Sequence, residues 1–245
     1  MKKLLALSLV ALAATVATAD EAWFQYSVFS PGDLLLPWAR NDVYGLRLNM
    51  PYGNNKAREK NPSVGNIYGL DLGIVDLVGG SMKGVQLGCW NAVDAGETMG
   101  LQLGVLANRT KDVYGVQLGG IVNWNDNLAY GLQIAPLNYD SEFVGFQAGI
   151  VDWMVGNMTG GSVALANVAV NEFTGVAIGA FNYSVGKVVG AQIGAFNVVD
   201  GPTEGLQLGV INASQHHTGV QIGLINLNAT GSIVFLPVIN VNFNH

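Results

Sequence analysis

The sequence predicts an all-β repeat fold, and three observations carry that prediction. One short motif centred on Gly-Leu-Gln-Leu-Gly recurs about every 15 residues, apolar and polar residues alternate inside it, and turn-forming residues separate the copies. Gly84-Val-Gln-Leu-Gly-Cys-Trp-Asn91, Gly205-Leu-Gln-Leu-Gly-Val-Ile-Asn212 and Gly219-Val-Gln-Ile-Gly-Leu-Ile-Asn226 are plain copies. Weaker ones begin at Gly45, Gly69, Gly100, Gly115, Gly131, Gly145, Gly160, Gly175 and Gly190.

The chain opens Met1-Lys2-Lys3, runs largely apolar over residues 4–16 and reaches Ala17-Thr18-Ala19. A basic start, a short apolar stretch and a small-x-small end make residues 1–19 a signal peptide, with cleavage expected after Ala19. The apolar run is short for a membrane-spanning helix. Residues 20–245 are then expected to form one β-repeat domain, with copies from about 43 to 228. Export is expected. No cysteine follows the signal, so no lipid anchor is expected, and the single Cys89 has no internal disulfide partner and reads as a small buried hydrophobe.

A first strand is expected over residues 25–30. The copies follow. With each copy's first glycine as position 0, positions +1 and +3 are mostly Val, Leu or Ile, +2 is usually Gln and +4 usually Gly. Period-two alternation is a strand signature. Clusters such as Asp94-Ala-Gly-Glu97, Asn125-Asp-Asn127 and Asp200-Gly-Pro202 supply turns. Residues 51–66 hold an insertion whose segment 54–60, Asn-Asn-Lys-Ala-Arg-Glu-Lys, is the best loop for a specific contact. A closing strand is expected over residues 233–243, with Ile233, Phe235, Ile239, Val241 and Phe243 on one face.

The Gln slots form a structural polar face: Arg47, Asp71, Gln86, Gln102, Gln117, Gln133, Gln147, Gln192, Gln207 and Gln221. Arg47 and Asp71 fill that slot in consecutive copies and are placed for an ion pair on facing strands. Two unrelated substitutions in a polar slot would look the same.

Two architectures accept one strand-like unit per period. The leading expectation is an up-and-down antiparallel meander closing into a barrel of about 14 strands. It rests on the near-palindrome of Gly205 to Gly209 about Gln207, on one clear turn cluster per period, and on the aromatic-ended closing strand. In it +1 and +3 face lipid, Gln faces inward, and Tyr44, Tyr68, Tyr114 and Tyr130, each just before a copy, mark an interface level. The alternative is a parallel β-solenoid of about 15 residues per coil. A corner near the second glycine would then put +1, +3 and +6 inside, with Gln and Asn in ladders.

The repeats, together with Val43-Tyr-Gly-Leu-Arg-Leu-Asn49, Gly69-Leu-Asp-Leu-Gly73 and Phe235-Leu-Pro-Val-Ile-Asn240, resemble an uncharacterised family of bacterial surface-repeat proteins. The resemblance covers nearly the whole mature chain. It implies a cell-envelope location and supplies no activity, substrate or functional residue.

Nothing in the residues points to catalysis, a cofactor or a metal. Gly-x-Gln-x-Gly is neither a phosphate loop nor a dinucleotide fingerprint. His216 and His217 are adjacent, so an extended chain sends them to opposite faces, and with His245 at the terminus a solvated turn is the better reading. Asp94, Asp112, Asp126, Asp140 and Asp200 read as solvated turn charges that resist edge-to-edge aggregation. Trp90, Trp124 and Trp153 suit sugar stacking or core and interface packing. Losing Lys2 and Lys3 leaves nine of eleven basic residues against seventeen acidic ones, taking the formal charge from −6 to −8, which argues against nucleic acid. The expected function is therefore a non-enzymatic outer-membrane or cell-surface β-repeat protein, structural or a passive pore, with envelope components as partners. The alternatives are a secreted or periplasmic β-solenoid binding a glycan or protein, and, less favoured, a cell-wall polysaccharide enzyme.

Overall fold

The computed structural model describes residues 21–29, 42–54, 65–231 and 234–243. The segment expected to be a signal peptide over 1–19, most of the insertion at 54–60, Ser30, Ile233 and His245 lie outside the described residues. Within the stretch read as one repeat domain, the chain divides into two compact units, Met1–Gly120 and Ile121–His245. Among the described residues every regular element is a strand.

In the first unit, β1 (Glu21–Phe29), β2 (Asp42–Asn54), β3 (Ile67–Val78) and β4 (Met82–Gly119) follow one another side by side. All neighbours run parallel, and like positions meet: Gly69 faces Gly84, and Arg47 faces Asp71. β4 is 38 residues long because it passes through more than two copies and stacks on itself.

The second unit contains β5 (Val122–Ile134), β6 (Leu137–Met154), β7 (Met158–Ala169), β8 (Phe173–Ile178), β9 (Phe181–Ser184), β10 (Val188–Ile193), β11 (Phe196–Leu208), β12 (Ile211–Asn228) and β13 (Phe235–Asn242). The cleanest coil shows how the period is used. Six residues of β8, a bend at Gly179 and Ala180, four residues of β9 and a bend over 185–187 return the chain to β10, where Gly190 lies beside Gly175. Each coil therefore has two faces and two corners, as a β-solenoid requires.

This replaces the antiparallel barrel. The copies at Gly205 and Gly219 pair in parallel, Leu206 beside Val220 and Gln207 beside Gln221. Among the described strand pairings only that of β12 with β13 is antiparallel. A near-palindromic motif matches its neighbour in either direction, so the palindrome carried no directional information. The second corner lies where the solenoid alternative places it, near the second glycine, and needs only the +4 glycine and the residue after it.

The first glycine of each copy is fixed by backbone geometry. Gly205 has φ +136°, a region closed to side chains, and a Cβ there would collide with the carbonyl oxygen of Gly190. β13 caps the stack from the other direction: it follows the corner of the last coil in reverse, with Val238 opposite Gly223 at φ +70°. Of its predicted face, Phe235, Ile239, Val241 and Phe243 are exposed, while Asn240 turns inward.

Candidate functional site

Four positions per coil point inward: −2 and +2 on one face, +7 and +9 on the other. In the second unit the −2 slot holds Phe143, Met158, Phe173 and Val188, all buried, beside Met154, Ala169 and Val199 at +9. This apolar half of the interior lies at the corner formed by the polar turn. At the glycine corner the interior is polar. Asn182, Asn197, Asn212 and Asn226 at +7 are buried, as are Gln133, Gln147, Gln192, Gln207 and Gln221 at +2.

The asparagines are there because a sharp corner leaves carbonyls that a strand ladder does not satisfy. Asn197 Nδ2 donates to Asn212 Oδ1 at 2.8 Å and to the carbonyl of Leu208, at +3 of the next coil, at 3.0 Å. Asn182 does the same to Asn197 Oδ1 (2.7 Å) and the Ile193 carbonyl (3.1 Å). Both amide hydrogens are thus used, and each Oδ1 accepts from the coil before. Gln221 donates to Gln207 and Gln207 to Gln192, and Asn240 of β13 ends that ladder on Gln221 Oε1 at 2.9 Å. The two faces also touch across the interior, through Gln192 to Ser184 (3.2 Å) and Gln133 to Asp140 (2.9 Å).

In the first unit the same slots carry charge. Arg47 Nε and Nη2 grip Asp71 at 2.7 and 2.5 Å, and Gln86, itself hydrogen-bonded to Gln102, donates to Asp71 as well. Gln117 continues this ladder on Gln102 at 2.7 Å. Asn49 bridges Asp71 and Asp76. Burial, aided by the charge of Asp71, pushes Asp76 up to about 7 against the pull of Asn49 and Arg47.

The second unit buries two carboxylates with no such cation in their hydrogen-bond sets. Asp140 accepts from Asn125 (2.6 Å) and Gln133, yet burial pushes it up to about 7. Asp152 accepts from Ser162 and Asn138, and burial raises it too. Asp140 was expected in a solvated turn; it instead takes the inward +9 slot. His217 is corrected in the same way. It does diverge from His216, but into the −2 slot, where burial pushes it down to about 4. His216 stays outside beside Thr230.

The exterior departs from the inside-out assignment made for a solenoid. Positions +1, +3 and +6, predicted inside a solenoid, point outward. Phe146 at +1 is 44 % exposed, Ile134 at +3 45 % and Phe181 at +6 51 %, and Leu165 and Leu224 at the +5 corner are 58 % and 70 % exposed. Cys89, at +5, is half-exposed rather than buried. Trp90, Trp124 and Trp153 also lie outside. Trp124 stacks on Tyr139 at 4.3 Å and Phe181 on Phe196 at 5.0 Å, which covers one face of each of these rings. Tyr44 stacks on Tyr68 in the same manner. Among the described residues no three His, Cys, Asp or Glu side chains gather to hold a metal. The barrel expectation already puts +1 and +3 outward and Gln inward, whereas the solenoid alternative puts +1, +3 and +6 inside; the signal against that alternative was the recurrent Asn at +7, whose amide is needed at a corner.

No family model, no curated protein and no solved structure matches this chain.

Proposed function

We propose that this protein is an exported, non-enzymatic β-solenoid of the outer membrane or cell surface, a structural element that associates with the envelope through its apolar exterior. One observation carries the reading. From Leu132 to Leu227, the outward positions +1 to +8 hold no charged residue, and many are exposed Ile, Leu, Val, Phe or Trp. A continuous apolar surface of this extent marks a binding or membrane surface rather than a solvated monomer. The pore form of the expectation belonged to the barrel and is not carried forward. The interior carboxylates support no enzyme reading, because they are sealed beneath the ladders.

Fractionation of cells expressing the full chain tests this. The protein is expected in the envelope membrane fraction, resistant to salt and alkaline wash and released by detergent. A detergent-independent soluble monomer in the periplasm or medium would contradict it.

A further inference from the structure

The apolar exterior of the second unit is not uniform around the coil, and its zoning points to a particular contact. Outside the interior, its charged residues lie in the turn corner or one residue from it, among them Glu142, Glu172, Asp200 and the pair Lys187–Glu204 at 2.8 Å. Next to that corner, on both faces, come aromatic residues with a polar end. Tyr130 stands at −1, where the other coils carry Val, Thr or Glu204. Trp124, Tyr139, Trp153 and Tyr183 stand at +8 or its equivalent, filled in the remaining coils by Val168, Val198, Ala213 and Leu227. Tyr183 donates to Asp200 at 2.6 Å, and Trp124 to Asp126 at 2.7 Å, so their polar ends point at the charged corner. Beyond them, through +1, +3, +6 and round the glycine corner at +5, every residue but Gly161 and Pro136 is Ala, Val, Leu, Ile or Phe.

Charge, then amphipathic aromatics, then hydrocarbon is the order of water, head groups and acyl chains across one membrane surface. The apolar zone also wraps three sides of a wedge: two faces and the corner between them. A second copy or another folded protein covers one face of such a wedge, whereas fluid acyl chains cover all three. Depth decides between lying in and crossing. Four residues at about 3.3 Å each carry the chain about 13 Å from the −1 row to the +3 row. Half of a hydrocarbon core about 30 Å thick is roughly 15 Å.

We infer that the second unit inserts edge-on into a single leaflet of a lipid membrane, glycine corner deepest, aromatic rows at head-group level and charged turns in water. This rests on the membrane association proposed above and specifies its geometry. The outward backbone needs no partner from lipid, because neighbouring coils satisfy it in register.

The test uses the full mature chain with Cys89→Ser and one new cysteine, added to preformed vesicles of phosphatidylethanolamine and phosphatidylglycerol. Flotation reads membrane association by itself. On floated protein, Leu165→Cys at the corner is expected to resist a membrane-impermeant maleimide, whether added outside or trapped inside, while Glu172→Cys reacts from outside. Leu224→Cys repeats the corner reading should Leu165→Cys fold poorly. Leu165→Asp with Leu224→Asp is expected to weaken flotation about tenfold or more, and Glu172→Gln less than about twofold. Flotation with the corner thiol labelled from inside would mean crossing and would overturn the single-leaflet geometry alone. Flotation with that thiol labelled from outside would place the corner in water and overturn it likewise. Failure to float, with the corner protected in a dimer in plain buffer, would overturn both readings in favour of a second copy. Failure to float as a monomer with a reactive corner would overturn both outright.

Discussion

In the coils that carry Phe173, Val188 and Val199 the two corners are built in opposite senses, whereas Asp140 and His217 make the turn-corner interior polar elsewhere. At the turn corner the outside is charged and the inside apolar, as with Lys187 and Glu204 over Phe173, Val188 and Val199. At the glycine corner the outside is apolar and the inside polar, as with Leu165, Val210 and Leu224 over the Asn and Gln ladders. The difference shows that burial alone does not sort these residues. A tight corner needs donors for its carbonyls, and Asn supplies two from the inside; the apolar groups displaced outward then need a non-aqueous surface.

The units differ in a related way. The first neutralises its buried Asp71 with Arg47, while the second holds Asp140 and Asp152 by neutral donors. Breaking these contrasts should produce graded losses. Arg47→Met leaves Asp71 and Asp76 buried without their cation and is expected to cost about 3–5 kcal/mol in chemical denaturation. Phe173→Ala empties the apolar interior at the turn corner and should cost a similar 3–5 kcal/mol, or about that. Its outward counterpart Phe196→Ala should change stability in detergent by less than about 1 kcal/mol, since Phe196 is exposed. If the two Phe substitutions cost the same, the contrast between inside and outside fails.

Asn197→Leu keeps the volume but strips the Leu208 carbonyl and the Asn182 amide of a partner, and about 2–3 kcal/mol is expected. A neutral outcome would mean that the corner carbonyls need no amide.

The pH dependence carries both signs. Asp76 and Asp140 have folded pKa values near 7, above the ordinary 3.8, so the folded state binds the extra protons between those limits. Their favourable contribution is full below about 4 and is lost as pH rises through about 7. His217, lowered to about 4 from 6.5, works the other way: it opposes folding at low pH and ceases to do so above about 6.5. The two carboxylates outweigh the one histidine, so stability should fall from pH 5 to 8. Asp140→Asn keeps the acceptor for Asn125 and Gln133 and should flatten that fall, which thermal melts across the range would read. A steeper fall in the variant would contradict the assignment. The smallest effect is expected from Lys187→Ala, whose exposed pair with Glu204 should alter the melt by less than about 1 kcal/mol.

The repeat, its strand character and the facing of Arg47 on Asp71 could all be read from the sequence, because period and alternation are local properties. Direction could not, since Gly205 to Gly209 reads alike both ways and parallel or antiparallel neighbours meet equivalent residues. The inward turns of Asp140 and His217 were hidden for another reason: next to Ser141 and His216 they look like turn residues, and only the stacking of coils shows that they begin or end a strand. The outward facing of +1 and +3 and the inward Gln were legible in the alternation, but their place in a solenoid was not, because Asn was read as a ladder and not as the donor that holds a corner.

Parallel stacking underlies all of this, and cysteine pairs in a Cys89→Ser chain test it most directly. In the parallel register Leu206 lies beside Val220 and Leu208 beside Ile222. In an antiparallel meander centred on the two glutamines, Leu206 would instead face Ile222. Mild oxidation is predicted to join Leu206→Cys to Val220→Cys and to leave Leu206→Cys with Ile222→Cys unjoined. Efficient bonding of the 206/222 pair, with none at 206/220, would contradict the solenoid.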